Sequence, residues 1–202
     1  MQLSEIYTEV VKITKQINKT GKSGNRSSKR TDVLNDEFAK WLAPKLSEGW
    51  TFEPERKITC SRGQKFSIDL IGYKDGEMKA LFLFKAVQSS YNKNRHNYSN
   101  TLEGETSRIF DVADREGLDV FFIDWIPNEV PLFNRKGEKV KTERPNPPSL
   151  TLAENRWNSS LAIKNCSVSF IKLRFDYDFN TDTLSNASND KTAEKSILKR
   201  LQ

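Results

Sequence analysis

Apolar residues near the start of the chain recur at helical spacing. Ile6, Val10, Ile13 and Ile17 share one face and predict an amphipathic helix over residues 3–18. A second stripe, Val33, Leu34, Phe38, Trp41 and Leu42 within "RTDVLNDEFAKWLAPKL", predicts another, with Thr31 or Asp32 as its cap and Pro44 near its end. The pattern then changes to strand-like runs at 51–60, 65–73 and 78–87, the last two joined at "KDGE". "QSSYNKNRHNYSN" reads as a polar loop, "TLEGETSRIFDVADREG" as a helix capped by Thr101 and stopped at Gly117, and "LDVFFIDWI" as a buried strand. Beyond it come a hairpin in "PLFNRKGEKV" around Lys136–Gly137, a proline-rich loop in "TERPNPPSL", a short segment around Trp157 and a strand in "CSVSFIKLRF". From Asn180 onward apolar content is low, which predicts a frayed polar tail over 180–202 with a short helix at 191–201. Helix, three strands, helix, strand is the order of an α/β or α+β domain with a mixed central sheet.

Charge modifies this picture at one place. The chain of 202 residues carries a formal net charge of +6, which suits a polyanionic partner without demanding one. Between Glu9 and Asp32 the basic residues Lys12, Lys15, Lys19, Lys22, Arg26, Lys29 and Arg30 occur with no acid among them. The Gly/Ser-rich middle, "NKTGKSGNRSSKR", reads either as a solvated linker or as an arm ordered by nucleic acid, with Lys29 and Arg30 at its edge. Residues 1–30 are therefore read as a helix with a basic linker arm and 31–179 as the main domain. No apolar run approaches the ~20 residues that cross a bilayer, and two cysteines make no disulfide framework. An intracellular, cytoplasmic protein is the expectation.

Candidate chemistry sits in "FSIDLIGYKDGEMKALFLFKAV". Asp69 lies inside one strand, and Lys85 ends the next, otherwise apolar one. A two-residue turn at Asp75–Gly76 pairs Asp69 with Phe82 and sends Lys85 to the opposite face. A three-residue loop over Asp75–Glu77 pairs Asp69 with Leu83 and brings Lys85 to the same face. The sequence permits both. A carboxylate on a rigid strand can hold Mg²⁺, and a lysine with a packed stem can orient water or stabilise a phosphoryl transition state. The plain alternative is a strand-end lysine with an incidental ion pair to Asp69.

"IDLIGYKDGEMKALFLFK", with its surrounding elements over 32–125, resembles the core of the PD-(D/E)xK nuclease superfamily, and "FKAVQSSYNKNRHNYSNTLEGETSRI" is similar to stretches of bacterial restriction endonucleases. The resemblance implies a restriction-endonuclease-like αβββαβ core, a Mg²⁺ cofactor, and Asp69 and Lys85 as the first acid and the lysine. Ile68 replaces the proline, and Leu83 stands where the second acid belongs. Some members supply that acid from the following helix, which here offers Glu105 or Glu103. Glu37, on the helix before the sheet, is similar to an extra acid that some members place near the metal, or is an ordinary solvated acid. The implied function is a type II restriction enzyme: a homodimer that hydrolyses double-stranded DNA at a specific sequence without a small-molecule cofactor. Because of Leu83, the rival readings are an inactive DNA-binding module of the same fold and a structure-specific repair nuclease or resolvase.

After Lys85, residues Gln88, Ser89, Ser90, Asn92, Lys93, Asn94, Arg95 and Asn97 carry the groups that read base edges and hold phosphates. The basic stretch within 130–165 is a second candidate reader. Other hydrolytic chemistries find little support. One histidine, His96, and two distant cysteines give no His- or Cys-based metal set, and no P-loop motif occurs.

Overall fold

The computed structural model describes residues 1–19, 26–59, 63, 65–112, 117–134, 138–146, 155 and 166–202. Helices α1 (Ile6–Lys19) and α2 (Arg26–Leu42) precede strands β1 (Trp50–Thr59), β2 (Lys65–Lys74) and β3 (Glu77–Ala86). Helix α3 (Tyr91–Val112) leads to β4 (Leu118–Pro127) and the short strands β5 (Val130–Phe133) and β6 (Lys139–Glu143). Strands β7 (Cys166–Asp178) and β8 (Thr183–Ser185) and helix α4 (Asp190–Leu201) complete the chain. The segment around Trp157, the hairpin tip at 135–137 and residues 147–150 of the proline-rich loop lie outside the described residues.

The fold is α/β, with a six-stranded mixed sheet in the order β1-β2-β3-β4-β7-β8 and helices packed on it. β1, β2 and β3 are antiparallel neighbours, β3, β4 and β7 are parallel, and β8 returns antiparallel to β7. A parallel β3–β4 pair needs a crossover, and α3 is that crossover. Each face has its own apolar cluster. Leu70, Phe82, Phe84, Phe121 and Trp125 pack with residues of α1, α2 and α4, whereas Ile71, Leu81, Leu83, Val120 and Phe122 pack with Leu102 and Ile109 of α3.

Three elements differ from the sequence-based expectation. The polar stretch after Lys85 is not a loop: α3 begins at Tyr91 and takes in Asn92, Asn94 and Asn97. Its first turn is braced from the β5–β6 hairpin, where the buried Glu143 accepts the Asn92 N–H at 3.2 Å and the Pro131 carbonyl accepts the Ser90 N–H at 3.0 Å. A carboxylate on the unpaired N–H groups of a first turn offsets the weak helix propensity of asparagine. Second, α2 begins at Arg26, inside the basic stretch read as linker. α1 likewise belongs to the main packing unit: Ile6, Tyr7 and Val10 are fully buried against the sheet.

Third, the C-terminal stretch is docked instead of frayed. Ala193, Ile197 and Leu201 recur at helical spacing and are buried in α4, a stripe that low overall apolar content conceals. Asp190 fastens it by accepting the Ser4 N–H at 3.0 Å and the Ser4 hydroxyl at 2.6 Å. Replacing Ile197, which is 0% exposed, by alanine is expected to cost ~2–4 kcal/mol in a urea titration. A frayed tail would show less than ~0.5 kcal/mol.

Candidate active site

The site is positioned by the β2–β3 hairpin. Asp75 (φ 51°) and Gly76 (φ 80°) form a two-residue turn with Lys74 opposite Glu77. Left alone, that turn sets the unproductive register. The pairing changes between Gly72 and Tyr73: Tyr73 faces Met78, Gly72 faces Ala80, and Lys79 is the extra residue of a bulge. From there Ile71 faces Leu81 and Leu70 faces Phe82, the register that the longer loop would have given. The bulge takes the place of the third turn residue. Gly72 is closely covered here: a Cβ would lie 3.1 Å from the Trp50 ring and 3.3 Å from Ala80 Cβ, so those neighbours would have to give by a few tenths of an ångström.

The β2–β3 ladder ends at Leu70–Phe82. Below it the alternation of β2 breaks, because Ile68 and Phe66 join the α3-side cluster although Leu70 belongs to the other. Asp69 is the residue at this break. Its Oδ2 accepts the Phe84 N–H at 2.7 Å, taking over a bond that a strand carbonyl would otherwise make. This fixes the carboxylate against β3, one residue before Lys85.

Lys85 continues the Leu81–Leu83 series toward α3 and meets Glu105, with Nζ–Oε1 at 3.1 Å. Leu102, Glu105, Thr106 and Ile109 form the inward stripe of α3, of which Leu102, Thr106 and Ile109 are buried. Glu103 is off that stripe. The other Glu105 oxygen is buried with no hydrogen-bond partner. Leu83 is only 3% exposed, packed under α3 where a strand acid would have stood. The end of β3 is held in place from the far side: the Tyr7 hydroxyl donates to the Val87 carbonyl at 2.6 Å.

A fourth ionisable group, which the sequence reading missed, belongs to this row. Asp124 of β4 lies opposite Lys85 in parallel register, and Lys172 of β7 lies opposite Asp124. The signal was the same one that drew attention to Asp69, an acid inside an apolar strand, "FFIDWI".

The electrostatics follow from three carboxyl groups around the Lys85 ammonium in a desolvated corner, with Lys172 beyond Asp124. Burial pushes Asp69 up to about 6, against the Phe84 N–H and Lys85, which favour its charged form, with Glu105 and Glu55 adding to the rise. Burial likewise raises Asp124 to about 7, opposed by Lys85. For Lys85, desolvation pulls downward, but Glu105, Asp69 and Asp124 outweigh it and hold its pKa above the ordinary lysine value. At neutral pH Lys85 is an ammonium.

Asp69 and Lys85 open into a cleft of about 400 Å³ that Arg30, Thr31 and Leu34 of α2 and Gln88, Ser89, Asn94 and Thr101 also line. Asn94 Nδ2 donates to the Ser90 carbonyl at 3.1 Å, within its own helix turn, and Asn92 and Lys29 are exposed. Ser90 sits at the positive-φ joint (52°) between β3 and α3. Lys93, Arg95 and Asn97 are in α3, and their side chains are outside the described residues. Glu37 does not join the cluster; it pairs with Lys40 at 2.7 Å. A larger cavity of about 1080 Å³ adjoins the cleft through Arg30, Gln88 and Ser89 and reaches the β5–β6 hairpin.

Among the described residues no three His, Cys, Asp or Glu side chains are grouped closely enough to enclose a metal by themselves. Mg²⁺ does not need such a cage. It binds through one or two carboxylates and completes its octahedron with water and phosphate oxygens. A corner with more carboxylate than ammonium, where one Glu105 oxygen is buried and unpartnered, fits that demand.

No protein-family model and no curated protein matches the chain. Among solved structures, NucC of P. aeruginosa ATCC27853 in its cAAA-bound form aligns at a TM-score of 0.43 and 13% identity, over 100% of this chain and 91% of that one. A likeness of that degree decides neither fold nor chemistry.

A pH effect follows from Asp69. A carboxyl group whose pKa rises on folding leaves stability intact below its unfolded value and erodes it as pH climbs through the folded value. In EDTA, the protein is therefore expected to lose stability between pH 4 and pH 7. Asp69→Asn, which keeps an acceptor for the Phe84 N–H, should remove on the order of 1–3 kcal/mol of that loss in denaturant titrations at each pH. An unchanged pH slope would contradict the burial argument.

Proposed function

We propose that the chain is a Mg²⁺-dependent DNA endonuclease that hydrolyses phosphodiester bonds, and that it acts as a sequence-specific type II restriction enzyme. The observation that carries this reading is the Lys85–Glu105 pair at 3.1 Å, next to the Asp69 carboxylate held on the Phe84 N–H. It supplies from α3 the carboxylate that Leu83 does not.

In this reading Asp69 and Glu105 would hold Mg²⁺, which when bound lowers the pKa of an attacking water and offsets charge on the phosphate. The remaining work falls to the chain. Lys85 stays protonated, so it acts as an electrostatic partner of the phosphoryl oxygens and not as a general base. The peptide N–H of Phe84 fixes the direction of the Asp69 carboxylate before substrate arrives. Arg30, Gln88, Ser89 and Asn94 line the cleft beside these groups, where they can meet phosphates and base edges. Cutting both strands of a duplex requires two such sites, and a two-fold homodimer supplies them on a symmetric target.

Digestion of a plasmid with and without Mg²⁺ tests the reading directly. Discrete, Mg²⁺-dependent fragments are expected. Smearing would point to a non-specific or repair nuclease, and intact plasmid to a binding module. Lys85→Ala should cut at least ~100-fold more slowly while binding the same duplex within ~3-fold; retained cutting would remove Lys85 from the mechanism. Glu105→Gln should abolish Mg²⁺-dependent cleavage and Glu103→Gln should leave most of it. The reverse result would exchange their roles.

A further inference from the structure

Asp124 has no part in the hydrolytic scheme above, yet its position is hard to explain as packing. It is 4% exposed. The two residues before it on the same face of β4, Val120 and Phe122, are apolar and pack beneath α3. A third apolar residue would fill the place without the cost of burying a carboxylate. The Asp124 backbone is in the ladders to β3 and β7, but among the described residues no hydrogen bond goes to its carboxylate, so the fold gains no strut from that group. What surrounds it is charge. Lys85 stands opposite on one side and Lys172 on the other, and side chains in one register row are separated only by the strand spacing of about 4.8 Å.

Lys85 is thus faced from three elements: by Asp69 from β2, Glu105 from α3 and Asp124 from β4, while Lys172 of β7 faces Asp124. Among the described residues its ion pair is with Glu105, on the layer above the sheet. With that attraction alone, the flexible four-carbon stem would let the ammonium follow the helix. A carboxylate set in the sheet itself, at the same register step, pulls it back toward β3.

We propose that Asp124 is a positioning residue: its carboxylate, placed by the β3–β4 register, anchors the Lys85 ammonium from the sheet side so that it stays directed at the point between Asp69 and Glu105. This deepens the endonuclease reading and rests on it for its catalytic meaning. At pH 8, where Asp124 is mostly ionised, removing the charge should loosen Lys85 and slow the chemical step without weakening DNA binding.

Asp124→Asn is nearly isosteric and tests this with three readouts. Cleavage should slow about tenfold in kcat with KM for DNA within twofold of wild type. The Mg²⁺ concentration for half-maximal rate should not change. In DNA-free protein with EDTA, acetylation of Lys85 at pH 8, measured by peptide mass spectrometry against the exposed Lys57, should be severalfold faster than in wild type, because a released amine is a better nucleophile. An unchanged kcat overturns the proposal. So does a loss cured by more Mg²⁺, which would make Asp124 a metal ligand, and so does acetylation at the wild-type rate. Circular dichroism checks folding, and Asp124→Ser serves if the asparagine variant is unfolded. If wild-type protein cuts no DNA at all, the hydrolytic reading falls, and the acetylation rate alone still decides whether Asp124 anchors Lys85.

Discussion

The structure turns on a single hydrogen bond, from the Phe84 peptide N–H to the Asp69 carboxylate at 2.7 Å. It stands where β2 parts from β3, and it does two jobs at once. It satisfies a ladder donor that the departing strand abandons, and it holds a partly buried acid in one orientation. Without it the hairpin would either zip onward, carrying Asp69 into the ladder, or leave a buried N–H unpaired. The bulge at Lys79 is the upstream condition, since it sets which residue of β2 arrives at the parting point. An extra residue in a strand, not a longer turn, aligns the acid with the lysine.

Around that point the molecule accumulates charge that it could have avoided. Asp69, Glu105 and Asp124 gather around the Lys85 ammonium, with Lys172 on the far side of Asp124, and burial raises two of the three acids toward neutrality. A fold selected only for stability would place apolar side chains at such positions, as it does at Leu83, Phe122 and Ile109. Clusters of mutually perturbed ionisable groups beside a cleft are where chemistry or binding is found. The neighbouring helix termini and the hairpin are fastened by directional bonds, from the Tyr7 hydroxyl to the Val87 carbonyl, from the Asn92 N–H to Glu143 and from the Ser4 hydroxyl to Asp190. The groups around the corner are thereby held more rigidly than apolar contact alone would hold them.

Much of this was legible in the chain. Period-two and period-3.6 patterns located β1 to β4 and the later part of α3, because a residue facing a core must recur at the spacing of its element. The "KDGE" turn allowed Asp69 and Lys85 to meet in one of two registers and kept them apart in the other. What pattern could not choose between was the register itself, because a bulge adds a residue to one strand without changing the alternation that the sequence shows. The helical state of "YNKNRHNYSN" was concealed for another reason: local propensity argues against it, and the brace from Glu143 lies 51 residues away. Asp124 was overlooked because its strand looked entirely like core.

Leu83 has a consequence that reaches beyond its own packing. A carboxylate carried on the middle of a sheet strand is immobilised by ladders on both sides. Here the corresponding negative charge arrives on Glu105, so its distance from Lys85 is set by how closely α3 rests on the sheet through Leu102, Thr106 and Ile109. The composition of this corner is thereby tied to the seating of one helix. Whatever lifts or presses that helix by an ångström also retunes the acid, the ammonium and the field between them.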